Sequence, residues 1–290
     1  MQLLDGKLVS GKILADLTQT VASLKLQGRR PPHLAAILVG NDGASETYVA
    51  SKIRFCHQIG YDSTLVRFDD RVSERELLAQ MEQINNNPAI DGMIVQLPLP
   101  AHINPDKVTL AVSPYKDVDG FHPENLGRAA KGLPGFIAAT PLGIMMMLEH
   151  YQLPTAGKHC VVMGRSQIVG LPMSILMQRD AYPGNATVTI CHSRTAYLTD
   201  ITRMADILIS AIGRPGFVTA DMVKDGAVVI DVGLERVPDL SRKTGFRLAG
   251  DVDFEGVAPK TSWITPVPGG VGLMTICGLL RNTMTAYHRR

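Results

Sequence analysis

Cysteine is scarce in this chain of 290 residues, and the few present are far apart. Cys56, Cys160, Cys191 and Cys277 form no C-x-x-C pair and no metal-ligand spacing, so they read as reduced core thiols of an intracellular protein. Charge of one sign is missing as well. A formal net charge of +2 offers no nucleic-acid or membrane surface. No apolar run approaches the roughly 18 residues that span a bilayer. The opening MQLLDGKLVSGK places an acid and two lysines before any long apolar run, which is not the pattern of a signal peptide. Internal repeats, low-complexity tracts, a P-loop, a Ser-His-Asp constellation and a metal-ligand cluster are all lacking. The eight histidines are scattered and read as structural, with only His192 near a proposed ligand. What remains is 45% hydrophobic and 19% charged, which excludes disorder, and the length suits two domains of a soluble, cytoplasmic protein.

Hydrophobic spacing orders the first half. Ile13, Leu14, Leu17, Val21 and Leu24 recur at helical intervals within residues 10–27, with Ser10 a candidate cap. HLAAILV (residues 33–39) is a buried-strand run. A helix is expected from Ser45 to about Ile59, stopped by Gly60, then a strand over Thr64 to Phe68. Ser73-Glu74-Arg75-Glu76 is a capping box that opens a helix through Leu77, Leu78, Met81 and Ile84. A further buried strand runs from Gly92 to Leu97. The order α-β-α-β-α-β is that of a layered α/β domain with parallel strands. Residues 101–137 are rich in turn formers, with a short helix near Asp106 to Ala111, and the domain junction is placed there. After a helix from Pro141 to Tyr151 and a strand-turn-helix-strand segment come a helix to Met204 and a strand over residues 205–213. A short helix near Ala220 and a strand over residues 227–233 follow. Residues 237–262 read as polar and irregular; ITPVPGGVG (264–272) reads as a rigid loop, and Met274 to Tyr287 as a closing apolar helix.

The segment from Cys160 to Thr195 organises the second half. It reads as strand, glycine turn, helix and strand in about 30 residues, the size of a βαβ unit. A glycine at such a turn lets the backbone approach a pyrophosphate held by amides at the helix start. Only Gly164 is in register; strict G-x-G-x-x-G would need glycines at Ser166 and Val169, and Gly170 is one place late. The motif alone leaves dinucleotide binding and a plain βα turn both open. The second strand ends Cys191-His192-Ser193-Arg194-Thr195, without the acid that would accept hydrogen bonds from a ribose 2′-hydroxyl. Arg194 alone reads as a solvated cation. Ser193 and Arg194 together with Gly164, Arg165 and Ser166 suit a 2′-phosphate, and hence NADP.

In open α/β sheets, ligands gather beyond the carboxyl ends of the strands. Three polar groups of the first half fall there: the helix carrying Tyr48 and Lys52, the amide Gln96, and Asp119 in Lys116-Asp117-Val118-Asp119-Gly120-Phe121-His122. Tyr48 and Lys52, four residues apart, share one helix face. An amine near a helix start meets the positive end of the helix dipole, which favours proton exchange near neutral pH. A solvated lysine beside a half-buried tyrosine is the plain alternative. Gln96, between Val95 and Leu97, is an amide in apolar surroundings and needs a partner.

Together these segments resemble the bifunctional methylenetetrahydrofolate dehydrogenase/cyclohydrolases. The matching pieces are Ser45-x-x-Tyr48-Val49-x-x-Lys52, residues 95–100 (VQLPLP), 116–122 (KDVDGFH), Gly164-Arg165-Ser166-x-x-Val169-Gly170-x-Pro172 and residues 266–272 (PVPGGVG), in the family's order along nearly the whole chain. The resemblance implies two layered α/β domains flanking a cleft, the second a Rossmann-like dinucleotide-binding domain with a parallel sheet. Residues 1–137 with a returning helix 273–290 would form the folate-binding catalytic domain, and 138–272 the NADP-binding domain. The length fits the dehydrogenase/cyclohydrolase unit without a formyl-ligase domain.

The implied chemistry is oxidation of 5,10-methylenetetrahydrofolate with NADP and hydrolysis of the methenyl product to 10-formyltetrahydrofolate. Lys52 would manage protons, Tyr48 stack on the folate, Gln96 orient Lys52, and Asp119 bind the pterin. Pro268, Gly269 and Gly270 would line the substrate, and Leu234 the cofactor. A homodimer is implied; a metal is not. The chain departs from the family's usual pattern at Ala138-Ala139, Glu235 and Leu273. Two other readings stay open. One is a dehydrogenase with weak or absent cyclohydrolase. The other is a non-catalytic, dinucleotide-sensing binding module, against which intact Lys52 and Gln96 argue.

Overall fold

The computed structural model describes residues 1–239, 241–242 and 245–289. In chain order the elements are β1 (Gln2–Leu3), α1 (Gly6–Leu26), β2 (His33–Val39), α2 (Gly43–Ile59), β3 (Asp62–Phe68), α3 (Glu74–Asn86), β4 (Gly92–Val95), α4 (Pro105–Ala111), α5 (Pro123–Ala130) and α6 (Ala139–His150). They continue with β5 (His159–Met163), α7 (Gly170–Gln178), β6 (Thr187–Cys191), α8 (Leu198–Thr202), β7 (Ile207–Ser210), β8 (Val228–Asp231), β9 (Glu235–Pro238), β10 (Phe246–Ala249), α9 (Phe254–Val257), β11 (Trp263–Ile264) and α10 (Val271–His288). The chain divides into two compact units. One comprises Gly11–Ala139 with Ile276–Arg290, the other Met1–Ser10 with Thr140–Thr275.

The first unit is built on a parallel sheet in the order β3-β2-β4. The central strand β2 is apolar along nearly its whole length because both of its faces are covered, as parallel sheets require. Ala35, Ile37 and Val39 pack with Leu77, Met81 and Ile84 of α3 and with Val108 and Val112 around α4. The helical spacing of Ile13, Leu14, Leu17, Val21 and Leu24 is borne out, since all five are buried. Ser10 is not the cap of α1. Asp5 is: its carboxylate accepts from the amides of Lys7 (2.8 Å) and Leu8 (3.3 Å), while the Ser10 hydroxyl donates to the Lys7 carbonyl. Likewise α2 starts two residues ahead of Ser45, capped by Asp42, whose side chain accepts from the Ser45 amide. The capping box at Ser73 and Glu76 forms as read. Helix α5, within the stretch read as turns, is opened by the His122 imidazole accepting from the Glu124 amide, with Pro123 at its first position.

The second unit is a six-stranded parallel sheet in the order β1-β11-β8-β7-β5-β6. Its core gathers Val161 and Met163 of β5, Leu208 of β7, Val229 of β8 and Ile264 of β11. Residues 1–10, read from sequence as part of the first domain, belong here, because β1 pairs with β11. A strand of two residues shows no periodicity, so the sequence carries no sign of it. The stretch read as irregular holds the antiparallel hairpin β9–β10, with the Arg236 guanidinium 4.6 Å from the Phe246 ring centroid. Leu240, Lys243 and Thr244 of that stretch lie outside the described residues.

Candidate active site

In the first unit, three elements bring Tyr48, Lys52, Gln96 and Asp119 together. Lys52 is 4% exposed on α2. Its ammonium lies 3.4 Å from Gln96 Oε1, 3.8 Å from Asp119 Oδ1 and 5.2 Å from the centroid of the Tyr48 ring. The helix-dipole argument for this lysine fails: α2 begins at Gly43, which leaves Lys52 in the third turn, and the dipole acts within the first. The local charge is instead the Asp119 carboxylate. Gln96 follows β4, and its Nε2 donates to the Leu97 carbonyl at 2.7 Å, so Oε1 is the atom left to face Lys52. Burial pushes the Asp119 carboxyl up, and the neighbouring ammonium pulls it only part of the way back. Both contacts of Lys52 are longer than the optimum of about 3 Å.

Asp119 is held from three sides by residues that motif reading did not assign. Asp117 accepts from the amides of Phe121 (3.0 Å) and His122 (2.8 Å) and from Asn125 Nδ2 (2.9 Å), closing the chain around Asp119. Gly120, between them, has φ +74, and a Cβ there would lie 2.5 Å from the Ala138 nitrogen. Asn282 of α10 donates to the carbonyls of Val118 and Ile137, both at 2.8 Å. Asn282 is buried on α10, where its amide needs such partners. The departure at Ala138-Ala139 stands directly behind this loop, with the Ala139 amide donating to the Asp119 carbonyl at 3.1 Å.

The second unit carries a cavity of about 310 Å³ at the carboxyl ends of β5, β6 and β7. Gly164, Arg165, Ser166, His192 and Ser193 line it. Gly164 has φ +112, and a Cβ there would strike the Ala211 carbonyl oxygen. Ser166 Oγ accepts from the amides of Val169 (3.2 Å) and Gly170 (3.4 Å) at the start of α7, and a Cβ on Gly170 would strike the Gly164 carbonyl oxygen. The far wall was not read from sequence: Ile212, Arg214 and Phe217, following β7. Asp251 fixes this wall. One of its oxygens accepts from the Arg214 amide (2.8 Å), the other from the Ile212 amide (2.8 Å) and Ser210 Oγ (3.0 Å). The Asp251 amide in turn donates to Asp231, whose carboxyl burial pushes up to about 6.

Arg194 and Leu234 are not among the residues lining this cavity. The Arg194 amide donates to His192 Nδ1, and Leu234 lies 3.6 Å from where a Cβ on Gly272 would stand. Glu235, another departure, brings its Oε1 to 3.5 Å from the Cβ position of Gly213. Pro268, Gly269 and Gly270 fall in the second unit, on the loop between β11 and α10, where Gly270 packs under the Pro266 carbonyl. Among the described residues, no three potential ligands gather as a metal site and no helix is long and apolar enough to cross a membrane.

The catalytic domain of tetrahydrofolate dehydrogenase/cyclohydrolase matches residues 4–119, and the NAD(P)-binding domain of the same family matches residues 138–290. The bifunctional protein FolD of Cytophaga hutchinsonii is 59% identical over 286 residues, covering 99% of each chain. The crystal structure of the bifunctional FolD methylenetetrahydrofolate dehydrogenase/cyclohydrolase from Campylobacter jejuni is 44% identical, covers 100% of both chains and superposes with a TM-score of 0.93. The Trypanosoma brucei dehydrogenase-cyclohydrolase, solved with NADP and an inhibitor, is 36% identical with a TM-score of 0.93, covering 98% of this chain and 96% of its own. With both domains matched in order, and with the buried Lys52 cluster and the glycine-turn cavity in place, this chain belongs to the tetrahydrofolate dehydrogenase/cyclohydrolase family.

Proposed function

We propose that this enzyme oxidises 5,10-methylenetetrahydrofolate with NADP and hydrolyses the methenyl product to 10-formyltetrahydrofolate, with Lys52 serving the hydrolytic step. The observation that carries the assignment is the Lys52 ammonium set between Gln96, Asp119 and the Tyr48 ring. The methenyl carbon already carries positive charge, so hydrolysis requires positioned water and proton transfer. Water adds to the methenyl carbon with Lys52 positioned to manage its protons, and one proton is delivered to N5 as the carbon–N5 bond breaks. One proton is released overall. Asp119 accepts from the pterin, while Gln96 keeps the lysine aimed and Tyr48 offers its face to the planar substrate. Pro268, Gly269 and Gly270 form a substrate-facing loop in this reading.

The cavity of the second unit fits NADP. It is rimmed by the Gly164 turn, carries Arg165, Ser166 and Ser193, and has no carboxylate among its lining residues. NADP held there would supply the hydride acceptor of the dehydrogenase step. Arg165 and Ser193 would hold its 2′-phosphate and the amides after Gly164 its pyrophosphate. We place the enzyme in the cytoplasm as a homodimer. Four buried cysteines outside any disulfide support a reducing compartment.

The test is an absorbance assay with methylenetetrahydrofolate and either NADP or NAD, for wild type and Lys52→Met. NADP reduction by both proteins, with formation of the formyl product confined to wild type, is the expected result. Equal decay of the methenyl species with and without wild-type enzyme would overturn the hydrolytic assignment.

A further inference from the structure

We propose that Arg214, rather than Arg194, supplies the second positive charge that reads the 2′-phosphate of the cofactor; the proposal rests on the NADP reading above. Two arginines, Arg165 and Arg214, are among the residues lining the cavity of the second unit, and Arg194 is not. Arg214 is held twice. Its amide donates to Asp251 Oδ1 at 2.8 Å, and its guanidinium lies 4.4 Å from the centroid of the Phe217 ring. Asp251 is 0% exposed, and its other oxygen accepts from the Ile212 amide and Ser210 Oγ, so the segment that presents Arg214 is fixed before any ligand arrives.

An arginine already stacked on a ring loses less side-chain freedom when it meets an anion than an extended surface arginine does. Among the described residues the Arg214 guanidinium makes no ion pair, and Asp251 accepts from two amides and a hydroxyl instead. Arg165 from the glycine turn and Arg214 from the segment after β7 thus furnish a doubly cationic pocket, with Ser193 adding a hydroxyl donor. A phosphate dianion suits such a pocket, and a bare ribose hydroxyl does not.

Isothermal titration calorimetry with four probes tests this: NADP, NAD, 2′,5′-ADP and 5′-AMP, each against wild type, Arg214→Ala and Arg194→Ala. Arg214→Ala should weaken NADP and 2′,5′-ADP by roughly tenfold or more, the loss expected for one charge-assisted contact, and leave NAD and 5′-AMP essentially unchanged. Arg194→Ala should leave all four as they are. Retained 5′-AMP binding also shows that the variant is folded. Equal weakening of 5′-AMP and 2′,5′-ADP would assign Arg214 to the adenine and overturn the proposal, as would no effect on either. A wild type that binds 2′,5′-ADP no tighter than 5′-AMP would sink the NADP reading itself, before any variant is compared.

Discussion

Gln96 shows how much one amide can direct. Its Nε2 is tied to the Leu97 carbonyl, so truncation removes both the acceptor facing Lys52 and the tie that aims it. Gln96→Ala is expected to lower the hydrolysis rate by roughly tenfold to a hundredfold, as loss of a positioning contact does, while NADP binding measured by calorimetry stays as in wild type. Unchanged hydrolysis would remove Gln96 from the mechanism. Asp117 makes a different prediction. Burial pushes its carboxyl up to about 6, above the ordinary value of about 4. The folded protein then binds more protons than the unfolded chain between those values. The contribution of this group is fully present below about pH 4 and is lost as pH rises through about 6, a loss of about 3 kcal/mol. Asp117→Asn keeps a neutral side chain at every pH. Its unfolding free energy should therefore gain on that of wild type as pH goes from 4 to 7, and a difference that does not vary with pH would contradict the shift.

The loop 116–122 is the element on which the first unit turns, and α10 braces it through Asn282. Asn282→Ala would leave two buried carbonyls, those of Val118 and Ile137, without their donor. Denaturant unfolding should show a loss of about 1–3 kcal/mol, with hydrolysis falling as Asp119 loses its setting. Wild-type stability in that variant would mean the bonds contribute nothing net. Sequence reading reached this loop through its motif and placed Asp119 in it, yet it could not see why the loop is rigid, since Asn282 lies 163 positions beyond Asp119 in the numbering. Elements with strong periodicity or clear caps, such as β2 and α3, were legible. Those formed only by distant pairing, β1 and the β9–β10 hairpin, were not, because nothing local specifies them. The same distinction holds in the sites. The Lys52, Gln96 and Asp119 positions were readable as motifs, whereas the wall carrying Arg214 and Phe217 depends on Asp251, far along the chain, to fix it. Arg194 reads from sequence as a partner of the 2′-phosphate because it follows the second strand of the βαβ unit, but position in the chain does not reveal which side chain turns inward.

At the scale of the whole chain, a cofactor that binds the folded state should raise its stability. NADP at about a hundredfold excess over its dissociation constant adds about 2.7 kcal/mol to the unit that binds it. Differential scanning calorimetry is expected to show NADP raising the unfolding midpoint of the nucleotide-binding unit, with a smaller rise for NAD at the same concentration. Equal shifts would deny the preference argued from the acid-free cavity.

The outermost strand of the six-stranded sheet comes from the first residues of the chain, with the Gln2 amide donating to the Ser262 carbonyl and the Leu4 amide to the Ile264 carbonyl, both at 2.8 Å. Every other strand of that sheet lies beyond residue 158. A fragment begun at the domain junction would therefore end its sheet at β11, with that strand's edge unpaired and the cover over it, including fully buried Leu4, removed. The nucleotide-binding half is discontinuous along the gene, and no single truncation yields it whole.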